Sequence, residues 1–174
     1  VFGQPDFTTD TANTGGQSAG SLSNPRAIAV DSAARLYVAD TNNNRVLIYD
    51  TPLSSAVASR VIGQADFTSN APNPGGPSAS TLFDPNGLAV DPQGNLFVSD
   101  SANNRILQYD APVLSGASAV RVFGQKGSFS TITTTPDVSA ETLSFPTALA
   151  LDRAGNLYVA DTVISRVLEF DTPL

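Results

Sequence analysis

Short apolar runs, separated by turn-forming residues, follow one another along the whole chain. In the middle third the runs cover residues 87–90, 95–100, 105–110 and 120–125, and each is rich in β-branched and aromatic types. Gly, Pro, Asp or Asn bounds each run, which is typical of strands. No segment keeps a 3.6-residue apolar period over the length of a helix. The pattern predicts an all-β fold of short strands, which we label a, b, c and d within each group of four.

The a and b runs are apolar on both faces of the predicted strands, as in "GLAV" and "NLFVSD". A sheet with one wet face would alternate apolar and polar residues instead. The pattern therefore indicates sheets that are packed between neighbouring sheets.

The group of four strands recurs along the chain. "FGQPDF" returns as "IGQADF" and "FGQKGSF", which aligns Gly3, Gly63 and Gly124 at a period of about 60 residues. We predict one domain over residues 1–174, with repeats at about 5–64, 65–125 and 126–174, the last completed by residues 1–4.

Four-stranded antiparallel units repeated in line predict a β-propeller, because no unit can bury both of its faces alone. The strand order d-abc-d-abc-d-abc gives three blades, which is half of a propeller. One blade is split: residues 1–4 would supply its strand d, and the C-terminal a, b and c strands the rest.

Three blades are too few for a closed ring, which takes roughly 4–8. Three partners could complete the split blade: a second copy in a two-fold six-bladed ring, further blades of a longer chain, or successive copies in a head-to-tail helical filament built by strand exchange. An unpaired sheet edge favours aggregation, so we expect residues 1–4 to be paired in any ordered state.

The a–b connection is a tight turn. In the second repeat, "DPQGN", Pro92 suits a type I turn and Gly94 supplies the left-handed residue; Gly155 has that place in the third repeat. The first repeat has Ala34 there, so we predict a strained left-handed alanine.

The b–c connection has the most unusual composition. "VADTNNNRVLIYD" returns as "VSDSANNRILQYD" and as "VADTVISRVLEFD", where Val163, Ile164 and Ser165 replace the asparagines. A calcium loop is one interpretation, but each copy offers one carboxylate where such loops space several. The favoured interpretation is a structural corner, in which Asp accepts turn N–H groups, Asn takes left-handed φ and Arg forks onto a carboxylate. The predicted structural pairs are Asp40–Arg45, Asp100–Arg105 and Asp161–Arg166.

Long inserts between strands d and a should lie on the same face as the b–c corners, because strand direction alternates; the c–d linkers should lie on the opposite face. Inserts of this length without regular structure are often functional. This face is our candidate for binding a protein or a carbohydrate, unless the inserts only cap the blade ends. Its candidate residues are Asn43, Asn44, Asn103 and Asn104, with Phe7 and Phe67 as insert anchors.

The amino-acid composition excludes several kinds of catalytic and metal site. The chain has no Cys, His, Met or Trp, so Ser–His–Asp catalysis and His- or thiolate-based metal sites are excluded. A net charge of −7 with a single lysine argues against a nucleic-acid partner, and no apolar run is long enough for membrane insertion. Acidity, few lysines and abundant Ser, Thr, Asn and Gly lead us to expect an extracellular, secreted, bacterial-type protein. The chain lacks a start Met and a signal peptide, so we expect a processed chain or a fragment.

The three copies of "Pro, small apolar strand, Asp, Gly-Asn turn, apolar strand, Ala-Asp, Asn-Asn-Arg, apolar strand" resemble NHL repeats. The long "GQPDF…GG" inserts resemble a bacterial, secreted subset of that family. The resemblance implies a propeller, commonly six-bladed, and admits enzymes such as metal-dependent lactonases and histidine-dependent lyases.

The lyase class would lack its histidine base in this chain. Carboxylates for a lactonase-like metal or Ca²⁺ would have to come from the opposite-face rim, at Asp31, Asp91 and Asp152, where starting the a–b turns is the more ordinary role. We therefore predict no catalytic residue, no resident metal or cofactor, and a non-catalytic binding or structural module; a filament protomer and a metal-dependent hydrolase are the alternatives.

Overall fold

Three antiparallel sheets make up the described part of the chain, which is residues 1–132 and 138–171 of a computed structural model. Blade 1 contains β1 (Pro25–Val30), β2 (Leu36–Asp40), β3 (Arg45–Tyr49) and β4 (Arg60–Ile62). Blade 2 contains β5 (Pro85–Val90), β6 (Leu96–Asp100), β7 (Arg105–Tyr109) and β8 (Arg121–Phe123). Blade 3 contains β9 (Pro146–Leu151), β10 (Leu157–Asp161) and β11 (Arg166–Phe170). Short 3-10 turns lie at Thr41–Asn43, Ser101–Asn103 and Gln125–Gly127.

Each sheet runs in chain order, so neighbouring strands are joined by local connections. The predicted all-β half-propeller of three blades is confirmed. Blade 3 has three strands in the described residues, and β11 is its edge. Residues 1–4, expected to be a paired strand d, form no strand, because a strand needs a paired edge and these residues pair with none of the described sheets.

The register places the two members of each predicted corner pair opposite one another. Asp40 faces Arg45 across β2 and β3, and Asp100 faces Arg105 across β6 and β7. The β2–β3 and β6–β7 hairpins therefore have the same register at the corner. Equivalent side chains of the two blades are buried as a result.

Two of the three apolar clusters in the described residues lie between blades, as the two-sided apolar strands predict, and the third lies on the other side of blade 1, against its insert. Tyr37, Val46 and Ile48 of blade 1 pack against Leu88 and Leu107 of blade 2. A second cluster joins the other side of blade 2 to blade 3 through residues such as Phe97, Ile106 and Leu157. Full burial of one such side chain contributes roughly 1.5–3 kcal/mol, so stacking of blades stabilises the fold.

Within the described residues, no helix has the length and apolar character required to cross a membrane.

Candidate functional site

The b–c corner of blade 2 is a buried network of hydrogen-bonded polar side chains. Asp100 accepts three hydrogen bonds, from the Phe83 backbone N–H, the Asn103 side chain and Arg105 Nε, each at 2.7 Å. The 3-10 turn Ser101–Asn103 ends on Asn104, whose φ of 54° is left-handed. Asn tolerates this conformation better than most residues, which explains its place in the corner.

Arg105 extends this hydrogen-bond network into the long inserts. Its Nη1 donates to the carbonyl of Phe129, and its Nη2 donates to the carbonyls of Ser78 (2.8 Å) and Thr81 (3.1 Å). Ser78 and Thr81 lie in the insert that precedes blade 2, whereas Phe129 lies in the insert that follows it. The guanidinium thus holds two successive inserts at once.

Blade 1 repeats this arrangement with Arg45. Its Nε donates to Asp40 at 2.7 Å, its Nη2 to the Ser18 and Ser21 carbonyls, and its Nη1 to the Phe67 carbonyl. The expected fork onto a carboxylate needs correction: one N–H meets the carboxylate, and the others meet insert carbonyls.

Blade 3 has half of the arrangement. Arg166 donates to Asp161 Oδ2 at 2.8 Å, and its Nη2 donates to the Ser139 and Thr142 carbonyls. Within residues 1–132 and 138–171, no acceptor for its Nη1 is described. Ser165 takes the left-handed position, with φ of 54°.

The desolvation of the blade 2 corner affects its acid. Burial raises the pKa of Asp100, and Arg105, Asn103 and the Phe83 N–H oppose that rise. A buried pair of this kind is weak evidence for net stability, but removing one partner leaves an uncompensated buried charge. The corner therefore specifies the positions of its loops.

All four candidate asparagines form hydrogen bonds with the loops. Asn43 and Asn103 are buried and exchange amide hydrogen bonds with Asn13 and Asn73. Both amides are therefore buried among the protein's own loops.

The next asparagine of each corner serves the following insert. Asn44 Nδ2 donates to the Asn70 carbonyl, and its Oδ1 accepts the Asp84 N–H. Asn104 Oδ1 accepts the Phe145 N–H. These side chains bind the protein's own backbone.

The two predicted anchors differ. Phe67 is partly buried against the cluster that contains Leu22 and Val38, whereas Phe7 is 90% exposed. Both are at the same place in their inserts, but only Phe67 lies against a blade in the part of the chain that the structure describes.

The inserts are ordered by local turns. Asp66 Oδ1 accepts the backbone N–H groups of Thr68 and Ser69 at 2.8 Å, and these bonds lower the pKa of Asp66 to about 2. Asp6 does the same with Thr8 and Thr9. Gln17 Nε2 also donates to the Ser69 carbonyl, so the first two inserts form one surface.

The Gly-Gln pair at the start of each insert is a structural device that the sequence interpretation missed. Gln64 Nε2 donates to the carbonyls of Asn44 and Ala71, which joins the preceding corner to the insert. A Cβ on Gly63 would lie 2.9 Å from the same Asn44 carbonyl oxygen, so the chain needs glycine there. The recurrence of "GQ" three times was the available signal.

The rim acids on the opposite face serve their own turns. Asp31 accepts from the backbone of Ala33 and Arg35 through Oδ1, and from Arg35 Nε and the Tyr37 hydroxyl through Oδ2. Asp152 is engaged in the same way by its own turn. Among the residues that the structure describes, no three His, Cys, Asp or Glu side chains are grouped to hold a metal.

Comparison with known proteins gave one family and a set of similar folds. The family model described as NHL repeat matches residues 22–49 and 84–109. The comparison with curated proteins gave no match.

Among solved structures, the chain is similar to a streptogramin B lyase, with a TM-score of 0.50 and 12% identity over 86% of this chain and 41% of that chain. It is also similar to a selenomethionine-substituted virginiamycin B lyase from Staphylococcus aureus, with a TM-score of 0.50 and 11% identity over 91% of this chain and 44% of that chain. The chain thus spans less than half the length of these structures, and at such identities the likeness concerns the fold alone.

Proposed function

We propose that this propeller protein, two segments of which match the NHL-repeat model, is a non-catalytic, extracellular scaffold that presents its inserts to a partner. The observation that carries the proposal is the hydrogen-bond network of the buried arginine at the corners of blades 1 and 2. A buried Arg45 or Arg105 holds the inserts on both of its sides through backbone carbonyls. Preorganised loops lose less conformational entropy on binding than mobile ones.

The surface that the inserts present is polar and weakly charged. Its exposed positions around Thr68 to Gly75 are mainly Thr, Asn, Ala, Pro and Gly. Hydroxyl, amide and backbone groups of this kind suit a partner with neutral hydrogen-bonding groups, a carbohydrate or a protein. The net charge of −7 disfavours polyanions.

The non-catalytic part of the proposal rests on the available side chains. The chain has no histidine for general acid–base work. Its buried acids at the corners are neutralised by arginine, and its rim acids are saturated by turn N–H groups. The lyase names of the similar structures do not change this, because the likeness supports the fold only.

The test uses matched alanine-to-lysine variants of the 174-residue chain. Ala71→Lys lies at the exposed tip of the second insert, and Ala56→Lys lies in the exposed first c–d linker. The probes are the neutral polysaccharides xylan, chitin and cellulose. We expect the unmodified chain and Ala56→Lys to be retained on at least one of these polysaccharides. Ala71→Lys should show clearly weaker retention on the same polysaccharide.

Retention that Ala56→Lys abolishes and Ala71→Lys preserves would contradict the proposed face. Hydrolysis of a lactone panel by the purified chain, sensitive to EDTA, would instead support the metal-dependent hydrolase alternative.

A further inference from the structure

We propose that a cleft between the second insert (residues 63–84) and the c–d linker of blade 2 (residues 110–120) binds one ring of a neutral sugar, with the side-chain oxygen of Gln64 accepting a sugar hydroxyl. The proposal deepens the scaffold function proposed above, on which it rests, because it names a site and a class of ligand. It starts from a difference between two matching inserts: an acceptor that has a donor in the first insert has none in the second.

Gln64 carries this acceptor. Its side chain is 3% exposed, and its Nε2 donates to the carbonyls of Asn44 and Ala71. Its Oε1 is buried and has no hydrogen-bond partner among the residues that the structure describes. Buried polar atoms are nearly always hydrogen-bonded, because their desolvation is otherwise uncompensated. This oxygen therefore marks a place where the second insert itself supplies no donor.

The first insert shows which donor the second one lacks. Gln4 is equivalent to Gln64, and its Oε1 lies 2.9 Å from the hydroxyl of Thr14. The same hydroxyl lies 2.6 Å from the Thr11 carbonyl, so it is shared between two acceptors. In the second insert the position of Thr14 is taken by Pro74, which has no hydroxyl. One change of residue type therefore removes the donor.

The backbone of the two inserts is the same at this point. Asn13 and Asn73 precede the differing residue and have φ of 51° and 46°. The carbonyl of each accepts the N–H of the second of the two glycines that follow. The inserts thus differ in the side chain and not in the path of the chain. Pro74→Thr would therefore place a hydroxyl against Gln64 Oε1, as Thr14 does in the first insert.

The position of this donor adjoins a cleft of about 310 Å³, a volume at the lower end of the range for small-molecule sites. Gln64 and Pro74 both line it, so a bound molecule can take the place that the threonine hydroxyl has in the first insert. The rest of the lining comes from Gly63, Ala65, Ser80, Thr81 and Gly116.

The lining favours a neutral ligand that carries hydroxyl groups. All of the lining residues are uncharged, so the wall offers no counter-ion to a charged ligand. A glutamine side-chain oxygen only accepts hydrogen bonds, so the ligand must donate. Ser80 adds a hydroxyl, and the exposed ring of Pro74 adds an apolar surface. One sugar ring combines donors, acceptors and an apolar face, whereas a protein interface, at roughly 1,200–2,000 Å², needs far more surface than this cleft.

Both walls of the cleft are fixed by contacts elsewhere. Arg105 holds the insert through the carbonyls of Ser78 and Thr81, at 2.8 and 3.1 Å. The Gly116 N–H of the linker donates to the Val61 carbonyl of β4 at 2.9 Å. A cleft whose walls are held in this way loses less conformational entropy when a ligand binds.

The test is isothermal titration calorimetry of the 174-residue chain with xylotetraose, chitotetraose and cellotetraose. We expect at least one of these neutral oligosaccharides to bind. Pro74→Thr should weaken that binding by about threefold to tenfold, because its hydroxyl takes the acceptor that the sugar uses. Pro74→Val is the matched control: it has the shape of threonine without the hydroxyl, and it should bind as the unmodified chain does.

A second pair of variants tests the cleft without involving Gln64. Ala65 lines the cleft and is exposed, so Ala65→Trp should fold normally and abolish binding by filling the space. Pro5→Trp, at the equivalent exposed position of the first insert, should leave binding unchanged. The melting temperature of each variant shows that a loss of binding is not a loss of folding.

Three results would overturn the inference: binding of none of the three oligosaccharides, equal weakening by Pro74→Thr and Pro74→Val, or unchanged binding by Ala65→Trp. The scaffold function would survive each of them if retention on a polysaccharide is still lost in Ala71→Lys. The reverse outcome is also distinct, because binding that responds to Pro74→Thr while Ala71→Lys is fully retained would support the cleft and contradict the proposed insert tip.

Discussion

At the scale of the residue, Arg105 carries more contacts than any other side chain at its corner. It makes four hydrogen bonds, one to Asp100 and three to insert carbonyls. Arg105→Ala should lower the free energy of unfolding by roughly 3–5 kcal/mol, because it leaves Asp100 buried and uncompensated. Asn103→Ala should cost about 1–3 kcal/mol, the penalty of removing one partner of buried hydrogen bonds. Urea unfolding measures both, and a larger loss for Asn103→Ala would contradict this account of the corner.

The alanine predicted to be left-handed has φ of 61° in the structure. The equivalent Gly94 has φ of 90°. A non-glycine residue in this region costs on the order of 1 kcal/mol, so Ala34→Gly should raise the melting temperature despite the entropy that glycine adds to the unfolded chain. The reciprocal control, Gly94→Ala, should lower it. Unchanged or lowered stability of Ala34→Gly would argue against strain at this turn.

The turn at Asp66 predicts a pH dependence. The N–H groups of Thr68 and Ser69 lower its pKa from 3.8 to about 2. Because the folded pKa lies below the unfolded one, this stabilisation is complete above the unfolded value and is lost as pH falls towards 2. The melting temperature of the unmodified chain should exceed that of Asp66→Asn at neutral pH, and the difference should shrink as the pH falls from 4 to about 2. A pH-independent difference would contradict the role of the charge.

At the scale of the element, the innermost strands approach closely enough to require a small residue. Gly87 of β5 faces β9, and a Cβ there would overlap the Thr147 carbonyl oxygen. Gly87→Ala should therefore destabilise the contact between blades 2 and 3 by roughly 1–3 kcal/mol, the usual cost of overpacking.

Its control is Ala148→Gly, at the equivalent and exposed position of β9. That change should cost less than about 1 kcal/mol, because it removes no covered side chain. Chemical unfolding compares the two, and an Ala148→Gly variant that is the weaker of the pair would show that strand propensity, and not close approach, dominates.

At the scale of the whole molecule, the hydrogen bonds of the rim acids indicate whether the opposite-face rim is structural or binds a cation. Both carboxylate oxygens of Asp31 and of Asp152 accept hydrogen bonds within their turns. A calcium ion would have to displace those donors. Added calcium should therefore leave the melting temperature unchanged, and EDTA should not lower it.

Asp152→Asn sharpens this test, because its amide cannot replace both acceptor oxygens. The variant should be less stable by the same amount with and without calcium. A rise of the melting temperature with calcium, absent in Asp152→Asn, would establish a cation site at the rim.

The sequence by itself determined the strands, their grouping into blades and the pairing of Asp with Arg at each corner. These depend on local propensity and on a period that repeats along the chain, both of which are visible without coordinates. It also indicated the left-handed Ala34 and the shared face of inserts and corners, because turn chemistry and strand direction are local properties.

Only the tertiary structure decided where the remaining donors of each arginine go, and that the asparagines face inward. Both depend on inserts that are distant in sequence and brought together by blade stacking, as Arg45 and Phe67 are. The same holds for residues 1–4, which form no strand in the structure because a strand needs a paired edge. Local pattern selects an element, but the neighbour that completes it is set by packing over the whole molecule.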